Sequence, residues 1–204
     1  ADYFTRVLAP MADIVLDFHS GGRTLDFVPL AAAHRLASAS QEAACIAAMR
    51  AFNAPYSMVM LEIDAVGMFD TTVEALGKTF VTTELGGGGT VTARSAAVAR
   101  RGVRNVLVHA GILRGEIELR PSVGLDMPDG DCFVFAEDEG LVEPVVDLGD
   151  PVGKGQVIAR VWPADRTGLA PREYRARRGG MLAGRHFPGL LKPGDCLAVV
   201  AEVG

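Results

Sequence analysis

Hydrophobic and polar positions in the first half of the chain form short apolar runs separated by helical stretches. Ile14-Val15-Leu16-Asp17-Phe18, Ser57-Met58-Val59-Met60-Leu61-Glu62 and Thr79-Phe80-Val81-Thr82-Thr83-Glu84 read as strands of a sheet covered by helices. Cys45, Ala48, Met49 and Phe52 recur at the i, i+3, i+4, i+7 spacing of one helix face. Thr71-Thr72-Val73-Glu74 has the form of a capping box and predicts a helix start. Ala99, Val103, Val106, Leu107, Ala110 and Leu113 make a single stripe, which predicts one long helix from Thr90 to about Leu113, closed near Gly115. Strands alternating with helices predict an α/β layer architecture.

Beyond residue 113 the pattern changes. Cys132–Ala136, Gly140–Val146, Gln156–Trp162 and Cys196–Ala201 are short β-type runs with turn signals between them. Residues 1–112 hold 10 Gly and 3 Pro, against 14 Gly and 8 Pro in residues 113–204, so turn formers double in density. The expected organisation is an α/β unit over 1–113 and a β-rich unit over 114–204. Two stretches, Leu148–Ile158 and Leu191–Leu197, share a Gly-Asp turn leading into an apolar strand, a weak internal repeat similar to turns of biotinyl and lipoyl carrier domains. The lysines of this region, Lys154 and Lys192, lie within those turns rather than at a hairpin tip, so a barrel-sandwich module without an attachment function is expected.

Composition narrows the partners. The 204 residues are 49% hydrophobic and 22% charged, with mean hydropathy +0.23, yet no apolar run approaches the roughly 18 residues of a membrane span. With 20 Lys+Arg against 25 Asp+Glu, no basic surplus exists to neutralise a phosphate backbone. A small molecule is therefore the expected partner, rather than a nucleic acid or a membrane, and the apolar composition leaves room for a homo-oligomeric interface. Cys45, Cys132 and Cys196 have neither CxxC spacing nor an even count, which fits a reducing cytoplasm.

Two strand ends carry candidate chemistry. Asp17-Phe18-His19-Ser20-Gly21-Gly22 places a histidine where a strand stops and two glycines turn the chain away. His19 reads equally as a metal ligand or as a hydrogen-bonded turn residue. Thr82-Thr83-Glu84-Leu85-Gly86-Gly87-Gly88-Gly89-Thr90 ends a second strand in a carboxylate followed by four glycines, each costly to order. A flexible connection is one reading. A phosphate loop would need a GxxxxGK[ST] motif, which is absent, so a general base at Glu84 fits better. Glu62 and Asp64 are candidates for binding a cationic group of a substrate, and Asp70 reads as a helix-start residue. His34 and His109 read as ordinary histidines, and His186 as a turn residue that could reach over the cleft. No cysteine has the cationic neighbours of a nucleophile.

The stretches Asp17–Pro29, Met60–Asp70 and Thr82–Gly89 together resemble the succinylglutamate desuccinylase/aspartoacylase family of zinc amidohydrolases, over essentially the whole chain. The resemblance implies part of a carboxypeptidase-like mixed sheet with flanking helices, followed by a small β-domain. It implies that His19 is the last of three zinc ligands and Glu84 the catalytic carboxylate. The implied reaction is hydrolysis of an N-acyl amino acid, with N-acetyl-diaminobutyrate of ectoine degradation as the nearest substrate. The family's other two ligands come from an upstream His-x-x-Glu. Position +3 from His19, His34, His109 and His186 is Gly22, Ala37, Ile112 and Gly189, so no such pair occurs. The chain is therefore expected to be the C-terminal portion of a longer enzyme and inactive by itself; the alternative is a non-catalytic small-molecule-binding or regulatory protein on the same fold.

Overall fold

The computed structural model describes residues 2–61 and 68–204. Two short helical turns over residues 4–11 lead into β1 (Ile14–His19), β2 (Leu25–Phe27) and β3 (Leu30–His34). There follow α1 (Ala39–Phe52), β4 (Tyr56–Met60), α2 (Phe69–Ala75), β5 (Thr79–Glu84) and α3 (Ala93–His109). The remainder is β6 (Val123–Met127), β7 (Phe133–Phe135), β8 (Gly140–Pro144), β9 (Pro151–Val152), β10 (Val157–Trp162), β11 (Arg172–Arg175), β12 (Gly180–His186), β13 (Leu190–Leu191) and β14 (Cys196–Val203).

One mixed sheet runs in the order β1-β5-β3-β4-β6-β14-β12-β2, with β7 beside β14 and β9 beside β12. Its pairs β1/β5, β3/β4 and β4/β6 are parallel and the others antiparallel. The sheet curls until its last strand meets the loop after β5: Phe27 N–H donates to Gly86 O at 3.1 Å and Gly88 N–H to Leu25 O at 3.0 Å. A second, antiparallel sheet, β11-β10-β8-β13, closes a sandwich over β7, β12 and β14 around Val134, Ile158, Val161, Leu182, Leu191 and Leu197. The α/β class and the appended β-sandwich are thus as expected. The shift in composition near residue 113 does not interrupt the main sheet, because β6, β12 and β14 extend it.

Helix α1 buries the predicted Cys45, Ala48, Met49 and Phe52, is capped by Ser38, and stops at Asn53 in left-handed geometry (φ 57°). The Asn53 side chain then donates to Arg120 O at 3.0 Å and accepts from Arg120 N at 2.7 Å. Asn105 on α3 holds Glu118 in the same two-way manner, so two asparagines fasten the irregular segment before β6. No Cβ fits at Gly102, where it would lie 2.3 Å from the Phe52 ring, and this lets α3 cross close to α1.

Three expectations need correction. Helix α3 starts at Ala93 rather than Thr90, because Thr92 and Ser95 cap it reciprocally, and it ends at His109 rather than near Leu113. The Thr71 capping box does not form: α2 starts at Phe69, the Thr71 and Thr72 hydroxyls donate back to Met68 O, and Glu74 is buried against His34. Strand β3 was not among the predicted strands. Its alanines have weak strand preference, and burial on both faces removes the alternation that would reveal it.

The repeat also aligns differently. Asp147–Asp150, Gly153–Gln156 and Lys192–Asp195 are three turns of one design, each with glycine at its third position (φ 91°, 81° and 89°). In each, the fourth residue's N–H donates to the first residue's C=O, and the fourth side chain accepts from the first N–H.

Candidate active site

Parallel pairing of β1 and β5 sets His19 opposite Glu84 at the last register position of both strands, at the carboxyl edge where open α/β sheets place ligands. Asp17, two residues before His19 and so on the same side of the strand, holds His19 Nε2 at 2.8 Å through Oδ2. A carboxylate only accepts, so Nε2 carries the proton, which leaves the lone pair of the neutral ring on Nδ1. Burial pulls the His19 pKa down, but the Asp17 bond and the charges of Asp17, Glu84 and Asp70 outweigh it, and the net shift is upward.

Glu84 is held by the turn that follows β1: Gly21 N–H donates to its Oε2 at 2.6 Å. Burial pushes its pKa up; the Gly21 bond and His19 oppose this without cancelling it. A carboxyl shifted toward neutrality in a cleft suits a group that must both take and return a proton.

The glycines after Glu84 are neither a flexible connection nor an anion cradle. A Cβ at Gly87 would lie 2.4 Å from Asp26 Cα, and one at Gly88 2.5 Å from the Phe187 ring. The amides of Gly88, Gly89 and Thr90 donate to Leu25 O, Ser20 O and Gly87 O. The glycines are what allow the loop to lie directly against β2.

His19 stands between two cavities. The larger, about 600 Å³, lies toward the start of α3 and includes Ser20, Thr90, Ser95 and Arg100 but not Glu84. The smaller, about 280 Å³, occupies the inside of the curled sheet and has both His19 and Glu84 on its wall. Its lining is mostly apolar, from Phe27, Leu30, Met58, Met60, Met127 and Val199, with Thr82, Asp70 and His34 as further polar groups.

Glu62 and Asp64 lie outside the described residues. His109 sits in the last turn of α3. His186 does not reach over the cleft: it ends β12, buried, with Nε2 donating to Leu190 O at 3.1 Å. Burial raises the pKa of all three thiols, that of Cys196 to about 12, which removes them as nucleophiles. Sequence reasoning passed over Asp17, whose two-residue spacing from His19 was the available signal. It also passed over the His34–Glu74 pair, which joins residues 40 positions apart and gave no local signal.

A model of the succinylglutamate desuccinylase/aspartoacylase catalytic domain matches residues 1–110, more than half of the chain. The chain belongs to the succinylglutamate desuccinylase/aspartoacylase family. It is 56% identical over 205 residues to an N-alpha-acetyl-L-2,4-diaminobutyric acid deacetylase of Halomonas elongata, covering 100% of this chain and 60% of that protein. The product-bound ectoine utilization protein EutE (DoeB) of Ruegeria pomeroyi superposes with TM-score 0.96 at 64% identity, over 99% of this chain and 62% of that one. A family member from Rhodobacter sphaeroides, at 32% identity, superposes with TM-score 0.91 over 100% of this chain and 62% of that one. The chain therefore spans about three fifths of the length of these relatives.

The family resemblance implies zinc. His19, braced by Asp17, has the form of one ligand, since metal-bound imidazoles commonly give their second nitrogen to a carboxylate. Among the described residues no group of three or more His, Cys, Asp or Glu is arranged to hold a metal ion, so these residues alone do not complete a tetrahedral set.

Proposed function

We propose that this chain carries the catalytic carboxylate and one metal ligand of a zinc-dependent N-acyl-amino-acid deacylase. The observation that supports this most is the pairing of His19 with Glu84 across two parallel strand ends, on one cavity wall, in a chain 56% identical to a diaminobutyrate deacetylase. Zinc, when bound, would polarise the acyl carbonyl and acidify a water molecule. Asp17 fixes the His19 ring. Glu84 takes a proton from the attacking water and delivers it to the nitrogen of the breaking amide, so that the products are a short carboxylate and a free amino acid. The Gly21 amide keeps Glu84 Oε2 in place throughout. The likeness to the Halomonas elongata diaminobutyric acid deacetylase supports acetyl as the acyl group and 2,4-diaminobutyrate as the amine.

Glu84→Gln in the native gene product is expected to lower hydrolysis of N-acetyl-diaminobutyrate by roughly a thousandfold, with melting temperature and zinc content unchanged. Turnover near the wild-type rate would overturn the role of Glu84. For the 204-residue chain alone we propose weak zinc binding and no activity, because a single imidazole holds zinc poorly. Stoichiometric zinc after dialysis, measured by atomic absorption, would overturn that.

A further inference from the structure

The amide that holds Glu84 belongs to the Ser20–Gly21 peptide, and that peptide is bonded along both of its edges. Gly21 N–H donates to Glu84 Oε2 at 2.6 Å, while Ser20 C=O, on the opposite edge, accepts from Gly89 N–H at 2.8 Å. The six atoms of a trans peptide are coplanar, so whatever fixes the Ser20 carbonyl also fixes the direction of Gly21 N–H. The Ser20 hydroxyl adds a third bond, donating to Thr90 O at 2.7 Å across 70 positions of sequence. Thr90 is itself fastened, since its N–H and its hydroxyl both donate to Gly87 O, at 3.1 and 2.7 Å.

The segment needs such ties. Gly21 and Gly22 are consecutive glycines at φ 67° and 56°, a conformation that glycine reaches without steric cost and leaves as easily. Rotation of the Ser20–Gly21 peptide about its flanking Cα atoms would turn Gly21 N–H away from Glu84 and bring the Ser20 carbonyl toward a carboxylate. Backbone supplies two of the bonds between this turn and the loop after β5, from Leu85 N–H to His19 O at 3.0 Å and from Gly89 N–H to Ser20 O. Among the described residues, Ser20 Oγ is the one side-chain atom that ties the turn to that loop. Thr90 is exposed, so its carbonyl does not depend on Ser20 for a partner. What the hydroxyl contributes is placement: it fixes Ser20 against the loop, and with it the peptide on which Glu84 rests.

We infer that Ser20 is a positioning residue for the deacylase reaction, holding the Ser20–Gly21 peptide so that its N–H stays on Glu84 Oε2. This rests on the proposed deacylase reading and adds to it a residue that acts through a neighbouring amide rather than on the reacting atoms. Its effect falls on the chemical step. A carboxylate that swings between orientations is less often aligned with the attacking water and the departing nitrogen, which lowers kcat and leaves KM alone.

Ser20→Ala in the native gene product removes the hydroxyl and keeps the backbone. With N-acetyl-2,4-diaminobutyrate, kcat is expected to fall roughly tenfold while KM changes less than about twofold and zinc content is unchanged. Ser20→Thr, which keeps the hydroxyl, is expected to restore most of the loss. The Gly21 amide proton, followed by NMR with isotope-labelled glycine, should exchange with solvent roughly tenfold faster in Ser20→Ala, with the amide of Gly102 in α3 unaltered. General destabilisation would speed both amides alike. An unchanged kcat, a loss of zinc that accounts for the fall, an unmoved Gly21 amide, or equal acceleration of both amides overturns the inference and leaves the deacylase reading intact. If Ser20→Ala fails to fold, Ser20→Cys, whose thiol is a weak donor, decides by the same readouts. A wild-type protein that does not hydrolyse N-acetyl-2,4-diaminobutyrate overturns both readings.

Discussion

The loop of four glycines beside the candidate site and the three glycine turns of the β-sandwich look alike in sequence but serve different physical ends. In the turns, glycine answers a local need. Gly149, Gly155 and Gly194 each take up positive φ at one turn position, and the bonds that define the turn are made by residues within it. In the loop, Gly86, Gly88 and Gly89 also take positive φ, but a further requirement, clearest at Gly87, comes from elsewhere in the chain. Gly87 is small because Asp26 of β2 lies against it; Gly21, in the turn after β1, combines both needs, with φ 67° and with Leu25 O and Gly87 Cα in the space a side chain would need. The first kind of glycine shapes a segment; the second brings two distant segments within backbone contact, and here that contact holds Glu84.

Substitution should separate the two. Gly21→Ala is expected to have the largest effect. Its Cβ would lie 1.8 Å from Leu25 O at a backbone φ of 67°, so left-handed strain of about 1 kcal/mol adds to overpacking of about 3 kcal/mol. The same change disturbs the amide that holds Glu84, so turnover per folded molecule should fall as well. Gly87→Ala, with a Cβ 2.4 Å from Asp26 Cα, should cost about 3 kcal/mol, also with lost activity. Urea unfolding and single-turnover hydrolysis in the native gene product check both. A loss below 1 kcal/mol at either position would mean that the loop is a slack connection after all.

The same contrast accounts for what the sequence made legible. Periodicity revealed α1 because Cys45, Ala48, Met49 and Phe52 pack on one side, and strand ends followed by glycine pointed to His19 and Glu84. Those signals are local. Glu74 looked like the last residue of a capping box because the pattern Thr-x-x-Glu is also local, whereas its actual partner, His34, is 40 residues away across the curled sheet. Strand β14 read correctly as a continuous apolar run for a reason that emerges only in three dimensions. Leu197 and Val200 face the sandwich, while Val199 and Ala201 face the core inside the curl, so neither side of the strand meets water. Loop Gly86–Gly89 advertised a constraint without saying which one, since the sequence of β2 contains nothing that marks it as a neighbour.

The turns offer the smallest and most discriminating effects. At Gly155 and Gly194 an added Cβ meets nothing within 4 Å, so alanine at either should cost only the strain of positive φ, about 1–2 kcal/mol, and leave hydrolysis unchanged. The two variants differ in what they sit beside. Gly194 is two residues before Cys196, whose thiol burial pushes up to about 12. A thiol raised above its ordinary value is protonated at lower pH, so at pH 8 roughly one molecule in ten thousand carries the reactive thiolate, and native labelling is slow. If each turn is a self-contained unit, Gly194→Ala should speed labelling of Cys196 about tenfold through local opening, while Gly155→Ala, at equal loss of global stability, should not. Equal acceleration in both variants would show instead that the turns open only with the whole sandwich, and the distinction between local and tertiary glycines would then be one of degree.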